Sequence, residues 1–302
     1  MNKIRVAIVG YGNIGRCAVE AVFAAPDMEI AGIIRRKGTA EMSNILPNIQ
    51  IIDEKTDISA LGKVDVALLC KPTRQIKEYA EKFLSQGIHT VDSFDIHDSI
   101  VDLRRDLDSI AKKHQSVAII SAGWDPGSDS CIRALLEAAA PIGITYTDFG
   151  PGMSMGHTVA VKAKPGVIDA LSVTIPKGTG VHRRMVYIQV EEGMDIEQIS
   201  QNIKTDPYFC NDETYVISVP DVSALTDKGH GVHLTRKGRS SGADNQLFTF
   251  DMRINNPALT AQIMISCARA ACRQSPGAYT IIEIPLIDLL PGDREGHIRR
   301  LV

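Results

Sequence analysis

A short apolar segment that runs straight into three spaced glycines constrains this chain more than any other feature. Ile4–Val9 reads as a buried strand, Gly10-Tyr11-Gly12-Asn13-Ile14-Gly15 follows at once, and Arg16–Ala25 is helix-like and closed by Pro26. A second apolar strand, Ile30–Ile34, ends in Arg35-Arg36-Lys37. A GxGxxG run is weak evidence by itself and much stronger when it opens a βαβ unit between a strand and a helix. Gly10 permits the tight turn, Gly12 lets a pyrophosphate approach the backbone, and Gly15 lets helix and strand pack closely. The free N–H groups of the helix's first turn then face the phosphates. The segment predicts a dinucleotide site.

The end of the second strand bears on which dinucleotide. A site for NAD carries Asp or Glu about 20 residues beyond the glycines, bonded to the ribose 2′-OH. Here Arg35 holds that position, Arg36 and Lys37 follow, and the neighbouring sequence has no carboxylate. A guanidinium fork can grip a 2′-phosphate through two hydrogen bonds, whereas a carboxylate would repel it. The expectation is NADP. The competing reading is a glycine turn of an ordinary α/β protein followed by a solvated basic run, and the ordered coincidence of all the parts weighs against it.

At 302 residues the chain can bury a large core and divide into two domains. With 44% hydrophobic and 23% charged residues it has the composition of a globular protein. A net charge of −3 gives no general attraction to nucleic acid or to an anionic membrane. Aromatic residues at 5% argue against stacking platforms for single strands. No apolar run reaches the ~20 residues of a membrane span, and a chain entering a strand at once leaves no room for a signal peptide. Cys17, Cys70, Cys131, Cys210, Cys267 and Cys272 lack CxxC spacing and read as buried, reduced thiols of a cytoplasmic protein.

The first 120 or so residues alternate strand and helix. Val64–Cys70 reads as a strand, Thr73–Gln86 as a helix stopped by Gly87, His89–Asp92 as a strand, Asp98–His114 as a helix and Val117–Ser121 as a strand. Apolar runs separated by helices imply a parallel sheet covered on both faces, a Rossmann-type doubly wound α/β fold. Ligands of such sheets sit beyond the C-terminal strand ends, which groups Cys70-Lys71-Pro72-Thr73, Ser93–His97 and Ala122–Gly127 around one crevice. From Gly143 the pattern changes to short runs at Gly143–Asp148, Ile168–Ile175, Arg183–Glu191, Thr214–Val219, Gly231–Arg236 and Gln246–Ile254. These predict a mostly antiparallel sheet interrupted by one helix, Asp195–Thr205. Pro257–Arg273 reads as a helix with Pro in its first turn. The expected division is a dinucleotide domain over 1–122, to which 255–302 returns, and an inserted α+β substrate and dimerisation domain over 123–254.

Three clusters carry the candidate chemistry. Asp92-Ser93-Phe94-Asp95-Ile96-His97 follows one strand, and Trp124-Asp125-Pro126-Gly127 follows the next with the only tryptophan. Phe149-Gly150-Pro151-Gly152-Met153-Ser154-Met155-Gly156-His157 reads as a glycine-rich loop whose N–H groups can hold an anion such as a carboxylate. Asp95 and Asp125 at neighbouring strand ends would suit an ammonium-bearing substrate that gives up hydride to leave an iminium; as caps or turn formers they would have ordinary work instead. Asp92, inside a strand end, reads as structural. Thr174, His182-Arg183-Arg184, His230 and Asn255-Asn256 are further candidates as anion or amide contacts, although each taken singly reads more readily as a solvated sheet residue than as a functional one. Alternation places Arg183 and Arg184 on opposite faces, so at most one lines a cleft. No Cys/His cluster has ligand spacing, and no metal is expected.

The runs VAIVGYGNIGR, HTVDSFDIH, SAGWDPG, FGPGMSMGH, RINNPALTAQ and YTIIEIP, which together span the chain, resemble those of the meso-diaminopimelate dehydrogenase family. The resemblance implies NADP-dependent oxidative deamination of meso-diaminopimelate at its D-centre, giving L-2-amino-6-oxopimelate and ammonium. The reverse would be reductive amination in lysine biosynthesis, and family members are homodimers. Asp95 and Asp125 would meet the ammonium of the reacting centre, and the backbone of Met155 and Gly156 its carboxylate. Trp124 and Phe149 would wall the pocket. Thr174, Arg184, His230 and Asn256 would read the distant L-centre, with Arg184 gripping its carboxylate. Cofactor contacts would come from Gly10 to Gly15, from Arg35, Arg36 and Lys37, and from Cys70, Lys71, Pro72, Thr73 and Ser93. Two other readings stand beside this one: an NADP-dependent reductase of another aspartate- or lysine-pathway substrate, and an NADP-binding sensor without chemistry.

Overall fold

Strand β1 (Ile4–Val9) is apolar at almost every position because both of its faces are covered. Alternation sends Val6 and Ile8 into one buried cluster and Ala7 and Val9 into another on the opposite side of the sheet. The structure, a computed structural model, describes residues 3–36, 48–225 and 229–302. It divides into one unit of Met1–Cys131 with Ala258–Val302, and a second of Ile132–Pro257.

In the first unit β1 is followed by α1 (Asn13–Ala24), β2 (Met28–Arg35), β3 (Ile51–Asp53), β4 (Val66–Leu69), α2 (Ile76–Leu84), β5 (His89–Asp92), α3 (Ile100–Lys113) and β6 (Val117–Ile120). Helix α4 (Ser128–Ala139) leads out of it, α7 (Asn256–Ala271) leads back, and β14 (Gly277–Thr280) and α8 (Arg294–Leu301) close the chain. The strands form one parallel sheet in the order β14-β6-β5-β4-β1-β2-β3. Helix α1 packs Ala18, Val19 and Val22 on one face beside Ala261, Met264, Ile265 and Ala268 of α7; α2 and α3 cover the other with Ala80, Phe83, Leu103 and Leu107. Within α7 the buried Arg269 spans Asp27 with two hydrogen bonds of 2.5 and 2.7 Å and donates to Leu289 O at 2.8 Å.

The second unit contains β7 (Ile142–Phe149), β8 (Gly152–Met153), α5 (Met155–Lys162), β9 (Val167–Gly178), β10 (Val181–Val190), α6 (Ile196–Lys204), β11 (Glu213–Ser218), β12 (Gly229–Ser240) and β13 (Ala243–Asn255). Where the sequence predicts one mostly antiparallel sheet, there are two: β11-β10-β9-β8, in which β10 and β11 run parallel, and the antiparallel β13-β12-β7. The parallel pair escapes pattern reading because its crossover helix, α6, lies between two runs that look alike. Asp195 caps α6 as its position suggests, accepting from Glu197 N and Gln198 N. Helix α5 is a second correction. Its residues read as the tail of a glycine loop, but after Ser154 they turn helical and bury Ala160 and Val161 against Val186, Ile188, Ile199 and Phe209.

Part of the basic stretch Arg236-Lys237-Gly238-Arg239 has a structural role. Arg236 is buried and donates to Ala140 O, just beyond the end of α4, through Nε at 3.0 Å and Nη2 at 2.5 Å. A cation there satisfies a terminal carbonyl and opposes the helix dipole. All six cysteines are free; Cys267 is buried as expected, Cys17, Cys70 and Cys131 are half-buried, and Cys210 and Cys272, both in turns, are exposed.

Replacing Arg269 by Met should cost about 3 kcal/mol, the low end for breaking a buried pair because Asp27 keeps some exposure. Its hydrogen bonds hold the Asp27 carboxyl below the ordinary value of 3.8. That stabilisation is present above the unfolded value and lost as pH falls through the lower folded one. Urea denaturation should therefore show the full deficit of Arg269→Met at pH 7 and a smaller one below pH 3.8.

Candidate functional site

The turn after β1 is fixed by its neighbours. Gly10 has φ +102°, and a Cβ on it would lie 2.3 Å from Cys70 O; a Cβ on Gly15 would lie 2.3 Å from Gly10 O. Only glycine permits either approach. A Cβ on Gly12 would meet nothing within 4 Å, so this residue faces open space. Gly12 is also the N-cap of α1, which has neither a side-chain cap nor an acidic residue in its first turn. Its polarised N–H groups suit an anion.

Gly10, Tyr11, Gly12, Arg35, Arg36, Glu54, Cys70, Lys71, Pro72 and Gln75 line a groove of ≈ 390 Å³. The Arg35 guanidinium lies 5.7 Å from the centre of the Tyr11 ring, and that of Arg16 lies 5.9 Å from it. Such contacts contribute about 0.5–1 kcal/mol at exposed sites and here fix the direction of Arg35. Burial holds the Cys70 thiol up at about 12, so it is protonated and inert. Asn13 begins α1 on its exposed side, while Ile14 and Gly15 pack inward. Lys37 lies outside the described residues.

One expectation is corrected. The neighbourhood of Arg35 does contain a carboxylate: β3 pairs with β2, Asp53 stands opposite Arg35, and the next residue, Glu54, enters the groove. Glu54 bonds the buried Lys71 ammonium, accepts from Tyr79 OH at 2.9 Å and lies 3.9 Å from Arg36 Nε. Burial alone would raise its pKa; Lys71, Tyr79 and the adjoining charges outweigh that and hold it below the usual value. The Tyr79 hydroxyl is pushed up to about 12 by burial and by Glu54, so it remains a donor. Glu54 is thus an internal counter-ion, and the lining keeps an excess of positive charge. These groups fit a dinucleotide with its pyrophosphate on α1.

The adjoining strand ends carry the next cluster. Thr73 Oγ1 donates to Asp95 Oδ1 at 2.5 Å, so this threonine orients a carboxylate rather than lining the groove. Ser93 also lies outside the groove and instead abuts Gly123, where an added Cβ would come within 3.4 Å of Ser93 Cβ. Buried Asp92 ties the two loops together: its Oδ1 accepts from Phe94 N at 2.9 Å and Ser121 N at 3.1 Å, and its carbonyl from Ala122 N at 2.7 Å. Asp125 is partly buried within the turn Gly123–Gly127, and Trp124 is buried. The Asp125–Pro126 and Gly150–Pro151 bonds are cis.

In the second unit the side chains of Thr174 and Arg184 meet across β9 and β10, where the two residues are paired. Arg184 Nε donates to Asp212 Oδ2 at 2.6 Å. Arg183 points to the opposite face, bonded to Glu213 and stacked on Tyr215, as alternation requires. Gly231 N lies 2.8 Å from His230 Nδ1 and Gly231 O lies 3.2 Å from it, so the ring is held by the adjoining backbone. Asn256 Nδ2 reaches Met153 O at 3.0 Å, and Phe149 N donates to His182 Nε2 at 2.8 Å. Met155 and Gly156 form the first turn of α5, so their amides are helix N-terminal donors. Ser154 does not cap this helix, because its hydroxyl bonds His157 Nδ1 at 2.7 Å. Burial, with Arg184 and His230 nearby, lowers the His157 pKa to about 3, which keeps the ring neutral.

Glu54, Tyr79 and Asp212 are the residues that sequence reasoning missed. Each reaches its place through a strand pairing or helix position remote in sequence, and a short strand such as β3 leaves no periodic trace. Among the described residues no group of three or more His, Cys, Asp and Glu could hold a metal ion, and no helix is long and apolar enough to cross a membrane.

Fold and groove define a Rossmann-type, dinucleotide-dependent oxidoreductase. Residues 4–92 match the oxidoreductase family with an NAD-binding Rossmann fold, and residues 123–256 match the diaminopimelic acid dehydrogenase C-terminal domain. The chain is 61% identical over 302 residues to the meso-diaminopimelate D-dehydrogenase of Bacteroides fragilis, covering 100% of both. The solved diaminopimelate dehydrogenase of C. glutamicum in complex with DAP is 31% identical with a TM-score of 0.89, again over 100% of each chain. An engineered D-amino acid dehydrogenase bound to NADP+ is 31% identical with a TM-score of 0.90 over the same extent. The chain belongs to the meso-diaminopimelate dehydrogenase family.

Asp92 gives a stability test of the strand-end architecture. Burial raises its carboxyl to about 6, so its favourable contribution is complete below 3.8 and declines as pH rises through about 6. Asp92→Asn keeps an acceptor for Phe94 and Ser121. Its stability relative to the parent should therefore improve between pH 4 and pH 7, read as the shift in urea midpoint.

Proposed function

We propose that this protein is an NADP-dependent meso-diaminopimelate dehydrogenase that oxidises the D-centre to L-2-amino-6-oxopimelate and releases ammonium. The observation that carries this reading is the 61% identity along all 302 residues with a relative of that name. The geometry supports it in two places: Thr73 aims an Asp95 carboxylate at the strand ends, and Thr174 and Arg184 make a polar clamp in the second unit.

The dinucleotide supplies the hydride acceptor. Asp95 and Asp125 hold the substrate ammonium and take up its first proton, leaving an amine whose α-C–H bond gives up hydride. Water then adds to the resulting iminium and ammonium departs, with the two carboxylates passing protons through water. One water is consumed and one further proton released per turnover. The amides of Met155 and Gly156 fix the adjoining carboxylate, and Thr174, Arg184, His230 and Asn256 read the L-centre. Run in reverse, the same steps are a reductive amination that would serve lysine biosynthesis.

The preference for NADP over NAD rests on Arg35 and Arg36. Glu54, held by Lys71 and Tyr79, balances only part of their charge. Arg35→Asp should weaken NADP+ binding at least about tenfold while affecting NAD+ less, the scale of one charge-assisted hydrogen bond. Titration of protein fluorescence measures both; equal losses would remove Arg35 from the 2′-phosphate.

Assembly is expected to be dimeric. Ile144, Lys237 and Leu247 stand in register across β7, β12 and β13 and are exposed, beside exposed Ile142. Ile144→Glu with Leu247→Glu should lower the sedimentation-equilibrium mass towards that of a monomer.

The defining assay follows NADPH formation with meso-diaminopimelate, with the L,L and D,D isomers as controls. Turnover of the meso isomer separates this reading from a reductase of another substrate and from a sensor. Asp95→Asn and Asp125→Asn should each lower kcat by at least about 100-fold, the usual contribution of a positioned proton-transfer group. A modest change in both, with binding intact, would remove them from the proton path.

A further inference from the structure

The Arg184 guanidinium does not stand alone, and its companion changes what the clamp can select. Nε is engaged by Asp212 Oδ2 at 2.6 Å and Nη1 by the Thr174 hydroxyl, which leaves the Nη2 end of the fork for a ligand. The two side chains are 12% and 22% exposed, enough for both to be reached. Asp212 is itself well anchored. Its N–H donates to Phe209 O at 3.0 Å, and its carbonyl accepts from Thr214 Oγ1 at 3.2 Å. The Phe209 ring packs edge-on against the neutral His157, 5.1 Å between centres. The second carboxylate oxygen, Oδ1, makes no hydrogen bond to another described residue.

An arginine alone would favour any distal carboxylate. One whose charge is balanced by an aspartate at hydrogen-bond distance makes a neutral, dipolar pair. A ligand end bearing only a carboxylate gains from Arg184 but is opposed by Asp212. An end bearing both carboxylate and ammonium complements each member, because the ammonium offers three donors to a carboxylate with an uncommitted oxygen. Like charge left unpaired in a partly desolvated site is costly, which is how such a site rejects the wrong ligand.

We propose that Asp212 is a specificity-determining residue that accepts the ammonium of the L-centre, so that Arg184 and Asp212 together select a zwitterionic amino-acid end over a bare carboxylate. This rests on the reading of the substrate as meso-diaminopimelate. The discriminating ligand is D-2-aminopimelate, which has the same carbon chain and both carboxylates but hydrogen in place of the distal ammonium.

The test measures the KM for meso-diaminopimelate and the Ki of D-2-aminopimelate as a competing substrate, followed as L-2-amino-6-oxopimelate formed because both compounds carry an oxidisable D-centre, in the full-length protein and in Asp212→Asn. Asparagine keeps an acceptor for Arg184 Nε and removes only the negative charge. The ratio of Ki to KM should fall about tenfold or more, chiefly through KM, with kcat changed little because the reacting carbon is at the other end of the substrate. A ratio within threefold of the parent overturns the proposal, whether both constants rise together, which would make Asp212 solely an aligner of Arg184, or neither moves. Asp212→Ser, a smaller change at a partly exposed position, gives the same comparison should the first variant fail to fold. Absence of meso-diaminopimelate turnover in the parent would instead overturn the functional reading itself.

Discussion

The first unit depends on a contact that contains no side chain. The backbone of Gly10 lies against the carbonyl of Cys70, and Gly15 lies against Gly10, each so close that a single methyl group would collide at 2.3 Å. Strand β1, helix α1 and the end of β4 are thereby locked into one packing arrangement. The lock decides where the chemistry can be. It directs the uncapped amides of α1 into the groove, sets Cys70 and Lys71 along its wall, and starts the turn that carries Thr73 to Asp95. A shift of one ångström at Gly10 would move all of these together.

In the second unit the corresponding constraint is register. Thr174 stands opposite Arg184 in the antiparallel pair β9–β10, and Thr214 stands opposite Arg184 on the other side in the parallel pair β10–β11. Asp212, just before β11, is delivered to the guanidinium by that second pairing. A slip of one residue in either pair would present Arg183 in place of Arg184. Arg183 is committed to Glu213, whose carboxyl is drawn down to about 2 by Tyr215 first and then by Arg183 and Lys177. Two adjacent arginines therefore have separate partners, and the polarity of each face follows from the pairing on either side.

Local patterns carried most of the first unit. The strand–glycine–helix order, the basic end of β2 and the apolar strands β4 to β6 all lie in contiguous residues, and they fold as their periodicity implies. What local patterns could not carry was anything decided by long-range pairing. The two-sheet construction of the second unit, the α5 helix beginning at Met155 and the arrival of Glu54 beside Arg36 are of this kind. Asp95 and Asp125 were legible as strand-end carboxylates and Asp92 as a structural one, but not the hydroxyl that orients Asp95 or the bonds by which Asp92 joins the two loops. Family resemblance distinguished Arg184 from Arg183; alternation showed only that they differ.

Glu54 illustrates how the meaning of a residue type depends on its partners. A carboxylate at the end of a Rossmann strand commonly accepts from a ribose hydroxyl. This one enters from the neighbouring strand and is already engaged by a buried ammonium and a tyrosine hydroxyl that stays protonated. Its capacity to accept from a ribose is reduced, and its charge is spent on holding Lys71 in a wall that would otherwise bury an unpaired cation. The Arg35 and Arg36 guanidiniums then face the groove without an equal and opposite charge. On the proposed reading, that imbalance is what a further phosphate would neutralise, since Glu54 is engaged chiefly by Lys71 and Tyr79 and approaches Arg36 only at 3.9 Å.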